Sequence, residues 1–322
     1  MKVLITGGTG FIGSHLVERL RAHDAEIFAL VRNPSRIRFL EGTDVHLLKG
    51  DLLNIPELPS GLDAVFHLAG MTKALKSEDY YNVNQRGSAS LFDALAKRGL
   101  SPKVIYLSSL AAGGPSWEGR DRKENDSPEP VTPYGKSKLL GEAEALARKD
   151  RFPLTILRVG AVYGPRDADF LNYFKYVRRG LLPSLGLKKK LFSLCYVKDL
   201  ARALEMAAGA DLASGEILNI ADSIPRSFED IGQAAAEALG TTPRRVIVPM
   251  LAVFGTALVS EFSSRLRRRP TAVNRNKYRD YRQQSWVADV QKSRERLAFV
   301  TEYTLDDGVY ETIRWYRDNG WL

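Results

Sequence analysis

A single cysteine, Cys195, stands in the whole chain, so no internal disulfide can form and a reducing cytoplasm is the expected setting. Histidine is scarce as well. His15, His23, His46 and His67 are scattered, and no pair has metal-ligand spacing with a cysteine or carboxylate, so no metal is expected. No run reaches the roughly 18 uninterrupted apolar residues of a membrane span. Met1 is followed almost at once by a strand-like segment, which leaves no room for a secretory signal peptide. RNA-binding aromatic signatures and zinc-finger spacings are missing too, so nucleic acid is not an expected partner. There is no internal repeat and no low-complexity linker.

Positive charge is what the chain has in excess, +9 net. Part of it clusters at Arg265–Arg269, followed by Arg275, Lys277, Arg279 and Arg282. Most of these charges read as a solvated basic face, and an anionic cofactor could use others. The 322 residues are long for one compact core and short for three. A cofactor-binding domain over 1–165 is expected, with 166–322 mainly a substrate region and 191–223 returning to the first domain.

Strand and helix patterns alternate through the first half. Lys2–Thr6, Glu26–Val31, Val45–Leu48, Asp63–Leu68, Lys103–Ser108 and Leu154–Val159 read as buried strands. Helical patterns fall between them, including Ser77–Lys97 and Pro133–Arg148, the second with Thr132 as N-cap and Pro133 at its first position. Strands apolar on both faces, alternating with helices, predict an α/β fold with a doubly wound parallel Rossmann-type sheet, followed by a smaller C-terminal α/β substrate region. Ser227 with Asp230, and Thr304 with Asp307, have capping-box spacing ahead of two later helices.

Three clusters carry chemistry. Gly7, Gly10 and Gly13 are spaced by three in TGGTGFIG, directly after the first strand, with Phe11 and Ile12 opening the helix. Such glycines permit a tight turn and close approach of a pyrophosphate to free amides at a helix N-terminus. The second strand ends Leu30-Val31-Arg32-Asn33, with an arginine where NAD-selective sites carry an acid. A guanidinium suits a 2′-phosphate, so NADP(H) is favoured with NAD(H) as the alternative; Arg36 and Arg38 follow closely. Tyr134 and Lys138 lie at i, i+4 on one helical face, where the ammonium would favour phenolate and let the tyrosine exchange a proton with a carbonyl or carbinol oxygen. Ser108-Ser109 ends the fifth strand, at the sheet edge where ligands bind.

TGGTGFIGSH, Gly50-Asp51-Leu52, His67–Gly70, Asn84, Leu107–Ser109, Tyr134–Lys138, Leu157-Arg158, Val162–Pro165 and Val197–Asp199 occur in one order. With them the chain resembles the extended short-chain dehydrogenase/reductases, the NAD-dependent epimerase/dehydratase family, over nearly its full length. The resemblance implies roles residue by residue. Gly7, Gly10 and Gly13 would form the pyrophosphate turn. Asp51 and Leu52 would contact adenine, and Leu68 and Ala69 would line ribose and pyrophosphate. Ser109 would be the catalytic serine, Asn84 the support of a proton relay, Tyr134 the acid–base and Lys138 the ribose clamp that tunes it. Val159 stands where the family usually has proline, which bears on nicotinamide placement. A homodimer through Ser77–Lys97 and Pro133–Arg148 is implied by the same analogy.

Departures from the family bear on substrate. Ser109 is followed by Leu110-Ala111 where 4,6-dehydratases resemble Thr-Asp-Glu. Leu191–Val197 has no arginine to grip a diphosphate, and a preceding Gly-x-Gly is missing. Val31–Pro34 is similar to the dihydroflavonol reductases. The expected function is therefore NADPH-dependent reduction, or the reverse oxidation, of a carbonyl on a non-nucleotide small molecule. The alternative is a nucleotide-sugar epimerase/dehydratase with tightly bound NAD(P), for which Lys188–Lys190 could hold a diphosphate. A non-catalytic dinucleotide sensor would have no need of Ser109, Tyr134 and Lys138 together. Residues 249–269, apolar and then strongly basic, read as a lid helix over the substrate pocket, with a peripheral contact on an anionic membrane as the competing reading.

Overall fold

A computed structural model describes residues 1–267, 271 and 274–322. Arg268 and Arg269 of the basic cluster lie outside the described residues, and so do the side chains of Arg265 and Arg267.

The first half follows the expected alternation: β1 (Lys2–Thr6), α1 (Phe11–Arg21), β2 (Glu26–Val31), β3 (His46–Lys49), β4 (Ala64–His67), α2 (Ser77–Tyr81), a π-turn at Asn82–Arg86, α3 (Gly87–Lys97), β5 (Lys103–Ser109), a short α4 (Leu110–Gly113), α5 (Pro133–Leu146) and β6 (Leu154–Val159). Beyond it come β7 (Ala161–Tyr163), α6 (Asp169–Arg178), β8 (Leu181–Leu185), β9 (Leu191–Phe192), β10 (Leu194–Tyr196), α7 (Val197–Gly209), β11 (Glu216–Ile220), α8 (Phe228–Leu239) and β12 (Arg244–Val248). The chain ends with α9 (Met250–Arg267), α10 (Arg275–Arg282), β13 (Ser285–Trp286), α11 (Gln291–Leu297) and α12 (Leu305–Asp318).

Seven parallel strands form the main sheet in the order β11-β6-β5-β4-β1-β2-β3. The strand order reverses between β1 and β4, and a crevice at the carboxyl ends of the strands opens at such a switch point. β1, β4 and β6 bury nearly every side chain, because helices cover both faces of the sheet. One core packs α1 and α7 on one face through Leu16, Leu20, Leu200 and Leu204. The other face carries Leu91, Phe92 and Phe152. A separate core, built from α6, α8 and α12 around Phe174, Ile231, Ile313 and Tyr316, sits beyond the carboxyl edge of β6.

Caps set the helix starts as expected. Thr132 accepts from the Gly135 amide, and both capping boxes form, Ser227 with Asp230 and Thr304 with Asp307. Two elements differ from the sequence reading. The helix over 77–97 carries the π-turn, because the Asn84 side chain is pulled out to Met71 and Ser137 and the Asn84 carbonyl accepts from the Ser88 hydroxyl instead of continuing a regular ladder. The strand near Phe192–Tyr196 breaks at Ser193. β9 pairs with β13 and β10 with β7, and the Ser193 backbone itself joins Trp286 and Ala161.

Candidate active site

The glycine turn passes too close to the rest of the backbone for any side chain. A Cβ on Gly13 would lie 2.2 Å from the Gly7 carbonyl oxygen, and one on Gly7, at φ +78°, would lie 2.8 Å from the Ala69 nitrogen. Gly10 caps α1 without a side chain, so the first amides of the helix, at Phe11, Ile12 and Gly13, are presented outward with the positive end of the dipole. The floor of this cradle is the end of β4. There the Leu68 amide donates to the Thr6 carbonyl, and the Ala69 amide to the Thr6 hydroxyl. Such a cradle fits a pyrophosphate.

Arg32 follows β2 at the same edge, exposed, with no carboxylate paired to it among the described residues. Arg38 lies over the rings of Phe39 and Trp321. Asp51 accepts from the Leu53 and Asn54 amides in an Asx turn, and Leu52 is buried.

Tyr134 occupies the second position of α5, close to a helix N-terminus that favours an anion there. Ser109, at the end of β5, accepts from the Ala111 amide at 3.2 Å and stands beside the phenol. Burial raises the Tyr134 pKa, and Ser109 and the Lys277 ammonium oppose that rise. Lys138, one turn further along α5, is buried. Its Nζ donates to the Leu107 carbonyl at 2.7 Å and lies 4.7 Å from the Tyr106 ring centre. Burial brings the lysine down to about 8, and Glu142 works against that shift.

Asn84 acts as a brace. Its Oδ1 accepts from the Met71 amide at 2.7 Å, and its Nδ2 donates to Ser137 Oγ at 2.8 Å, tying the loop after β4 to α5. His67 bridges Thr6 (2.7 Å) and Ser88 (2.9 Å), and burial lowers its pKa to about 3, so it is neutral and structural.

Sequence reasoning missed two groups. On the buried side of α5, the Glu142 carboxylate accepts from Arg158 at 2.9 and 2.7 Å and from Ser108 at 2.5 Å. Glu142 stands one helical turn beyond Lys138, a spacing that could have flagged it. On the open side, α10 brings Lys277 and Asp280 to Tyr134, and Tyr80 sets its ring 6.1 Å from that of Tyr134. Lys277 and Asp280 are 4.0 Å apart, and burial raises Asp280 to about 6. Asp280, a lone acid in a basic run, was the available signal. α9 packs against α10 through Phe254 and Tyr278.

Beside the β9–β10 segment, which has no arginine, stands Arg226. Arg226 bridges its backbone to Phe192, and its Nε is buried without a hydrogen-bond partner among the described residues.

Residues 3–221 match the family model described as NAD dependent epimerase/dehydratase family. The chain is 29% identical to the ceramide reductase of Caulobacter vibrioides (strain NA1000 / CB15N), over 99% of this chain and 96% of that one. It is 27% identical to the UDP-N-acetyl-alpha-D-glucosaminuronate decarboxylase of Bacillus cytotoxicus, over 98% of each. The solved structure of MoeE5 in complex with UDP-glucuronic acid and NAD superposes with a TM-score of 0.78 at 25% identity, covering 99% of this chain and 100% of that one.

Proposed function

Because the chain belongs to the NAD-dependent epimerase/dehydratase family and is an enzyme of the extended short-chain dehydrogenase type, we propose that it moves a hydride between a nicotinamide cofactor and a carbinol or carbonyl carbon, with Tyr134 as the acid–base group. The observation that carries this reading is that Tyr134 stands beside Ser109 at the carboxyl end of β5 while Lys138 of the same helix reaches the Leu107 carbonyl and the Gly70 turn next to the amide cradle. The cofactor, when bound, supplies the hydride or accepts it. Tyr134 Oη takes the hydroxyl proton as the carbinol carbon loses its hydride, and returns it in the reverse sense. Ser109 holds the substrate oxygen against the phenol. Gly7, Gly10, Phe11, Ile12 and Gly13 seat the pyrophosphate, Leu68 and Ala69 line it, Asp51 and Leu52 face adenine, and Lys138 holds the ribose. Arg32 supports a preference for NADP(H), while NAD is the nucleotide bound in the MoeE5 complex. The region after residue 165 forms the substrate side. Two copies pair through α3 and α5, where Leu140 stands exposed.

For the substrate, the comparisons support a nucleotide sugar better than the non-nucleotide carbonyl compound expected from the sequence. The decarboxylase relative and the UDP-glucuronic acid complex both point that way. Arg226, bridged to Phe192 and with its Nε buried without a partner among the described residues, supplies a guanidinium near the segment that lacks one. A second reading, reduction of a ceramide-type carbonyl, is favoured by the Caulobacter relative, which matches nearly end to end.

Calorimetry with UDP-, GDP- and dTDP-sugars separates the two. Binding tighter than roughly 10 μM, about −7 kcal/mol, sustains the first. No binding, together with cofactor oxidation on ceramide-type acceptors, sustains the second. Tyr134→Phe should lower the chemical rate by about 10²–10⁴ on either substrate with cofactor binding intact. Unchanged turnover in that variant removes the acid–base assignment.

A further inference from the structure

Helix α9 is built the wrong way round for a helix that faces water. From Met250 to Ser260 it has no ionisable residue. Val253 and Ala257 point inward and are buried. The opposite arc, Leu251, Ala252, Gly255, Thr256, Leu258 and Val259, is exposed, and it too carries no charge. Leu251 is 80% exposed and Val259 71%. An outward apolar arc on a surface helix marks a face whose partner is a separate body.

The arc continues into its surroundings. Val248 accepts a hydrogen bond from the Gly186 amide, and Met250 packs 3.7 Å from the position of a Gly186 Cβ. This sets the loop after β8 against the start of α9, with Leu187 82% exposed. On β12, Val246 and Ile247 are exposed as well. The exposed charges around this apolar surface are mainly basic: Lys188 and Lys189 in the loop, and Arg244 and Arg245 on β12, of which Lys189 pairs with Asp230 at 3.4 Å and Arg245 with Glu229 at 3.0 Å, while Glu261 at the end of the arc is held by Arg275. The sequence adds Arg265 and Arg267 at the far end of the same helix.

We propose that the outer face of α9, with the Gly186–Lys190 loop and the β12 edge, docks on an anionic lipid surface. The apolar arc enters the boundary between headgroups and acyl chains, and the lysines and arginines meet lipid phosphates and carboxylates. Charge decides the occupant. A second copy seated on this face by a two-fold axis would set the same basic residues against one another, whereas an anionic bilayer complements them. No described helix is long and apolar enough to cross a membrane, so α9 lies along the surface. Each basic side chain brought to an anionic surface strengthens adsorption about five-fold. The inference holds for either substrate, because vesicle binding needs no turnover.

The experiment is co-sedimentation of the full chain with vesicles of phosphatidylcholine, with and without 30% phosphatidylserine by design, at low and high salt. Binding should require phosphatidylserine and fall at least ten-fold at high salt. Leu251→Glu/Val259→Glu should abolish it while nucleotide binding, read by fluorescence, stays at the wild-type level. Absence of binding to the anionic vesicles overturns the proposal. So does binding that the double substitution leaves unchanged. Light scattering provides the remaining check: a dimer that the same substitutions convert to monomer would give the face to a second copy and overturn the lipid assignment.

Discussion

Removing Glu142 should cost more stability than almost any other single polar substitution in the chain, because its partner cannot escape to water. The Glu142 side chain is 1% exposed and that of Arg158 5%. Arg158 holds the carboxylate through two hydrogen bonds of 2.9 and 2.7 Å, and the Ser108 hydroxyl adds a third at 2.5 Å. Glu142→Ala leaves a buried guanidinium with no counter-charge, a change that costs about 3–5 kcal/mol. That is roughly two to four decades in the folding equilibrium constant. Replacing both partners, as Glu142→Leu with Arg158→Met, removes both desolvation penalties and should recover most of the loss. Equilibrium urea unfolding at neutral pH measures each variant. The single and double substitutions together make a cycle that isolates the pair. A loss below about 1 kcal/mol for Glu142→Ala would mean that Arg158 finds solvent and that the pair is not desolvated. The network also touches the site, since Glu142 supports the charge on Lys138.

Two further outcomes can be measured directly. Arg32→Asp should weaken NADPH far more than NADH, because a charge-assisted contact to the 2′-phosphate contributes about 1.5–3 kcal/mol, roughly 10- to 150-fold; equal wild-type dissociation constants for the two nucleotides at fixed ionic strength would remove the NADP preference. Burial depresses Lys138 from 10.5 to about 8, so between those pH values the unfolded chain binds more protons than the folded one, and this group makes stability rise with pH across that window. Comparing urea midpoints at pH 7.5 and 10 for wild type and Lys138→Met checks the sign, since the variant should lack this part of the rise and an identical rise in both would contradict it.

Periodicity and caps were enough to read the sheet and most of its helices. Buried strands in a doubly wound sheet are apolar on both faces, and helix starts are set by local chemistry at Thr132, Ser227 and Thr304. The glycine turn was equally legible, since the close approach at Gly7 and Gly13 depends on residues within one turn and the strand beside it. Tyr134 and Ser109 were legible for the same reason: each sits at the end of an element whose boundary the sequence marks.

Direction and long-range company were not legible. Spacing put Lys138 and Tyr134 on one helical face, but only packing against β5 showed that the ammonium bonds the Leu107 carbonyl and that Lys277, more than a hundred residues away, lowers the phenol's pKa. The sequence showed no arginine in Leu191–Val197, and the tertiary fold supplied Arg226 to the same strand by a backbone bridge. It likewise showed that 249–269 is apolar and then basic, while the tertiary structure decided which arc of α9 packs inward and which is left facing out. A sequence records what each segment prefers by itself; which distant side chains share a desolvated volume, and so shift one another's charge, is set only when the segments pack.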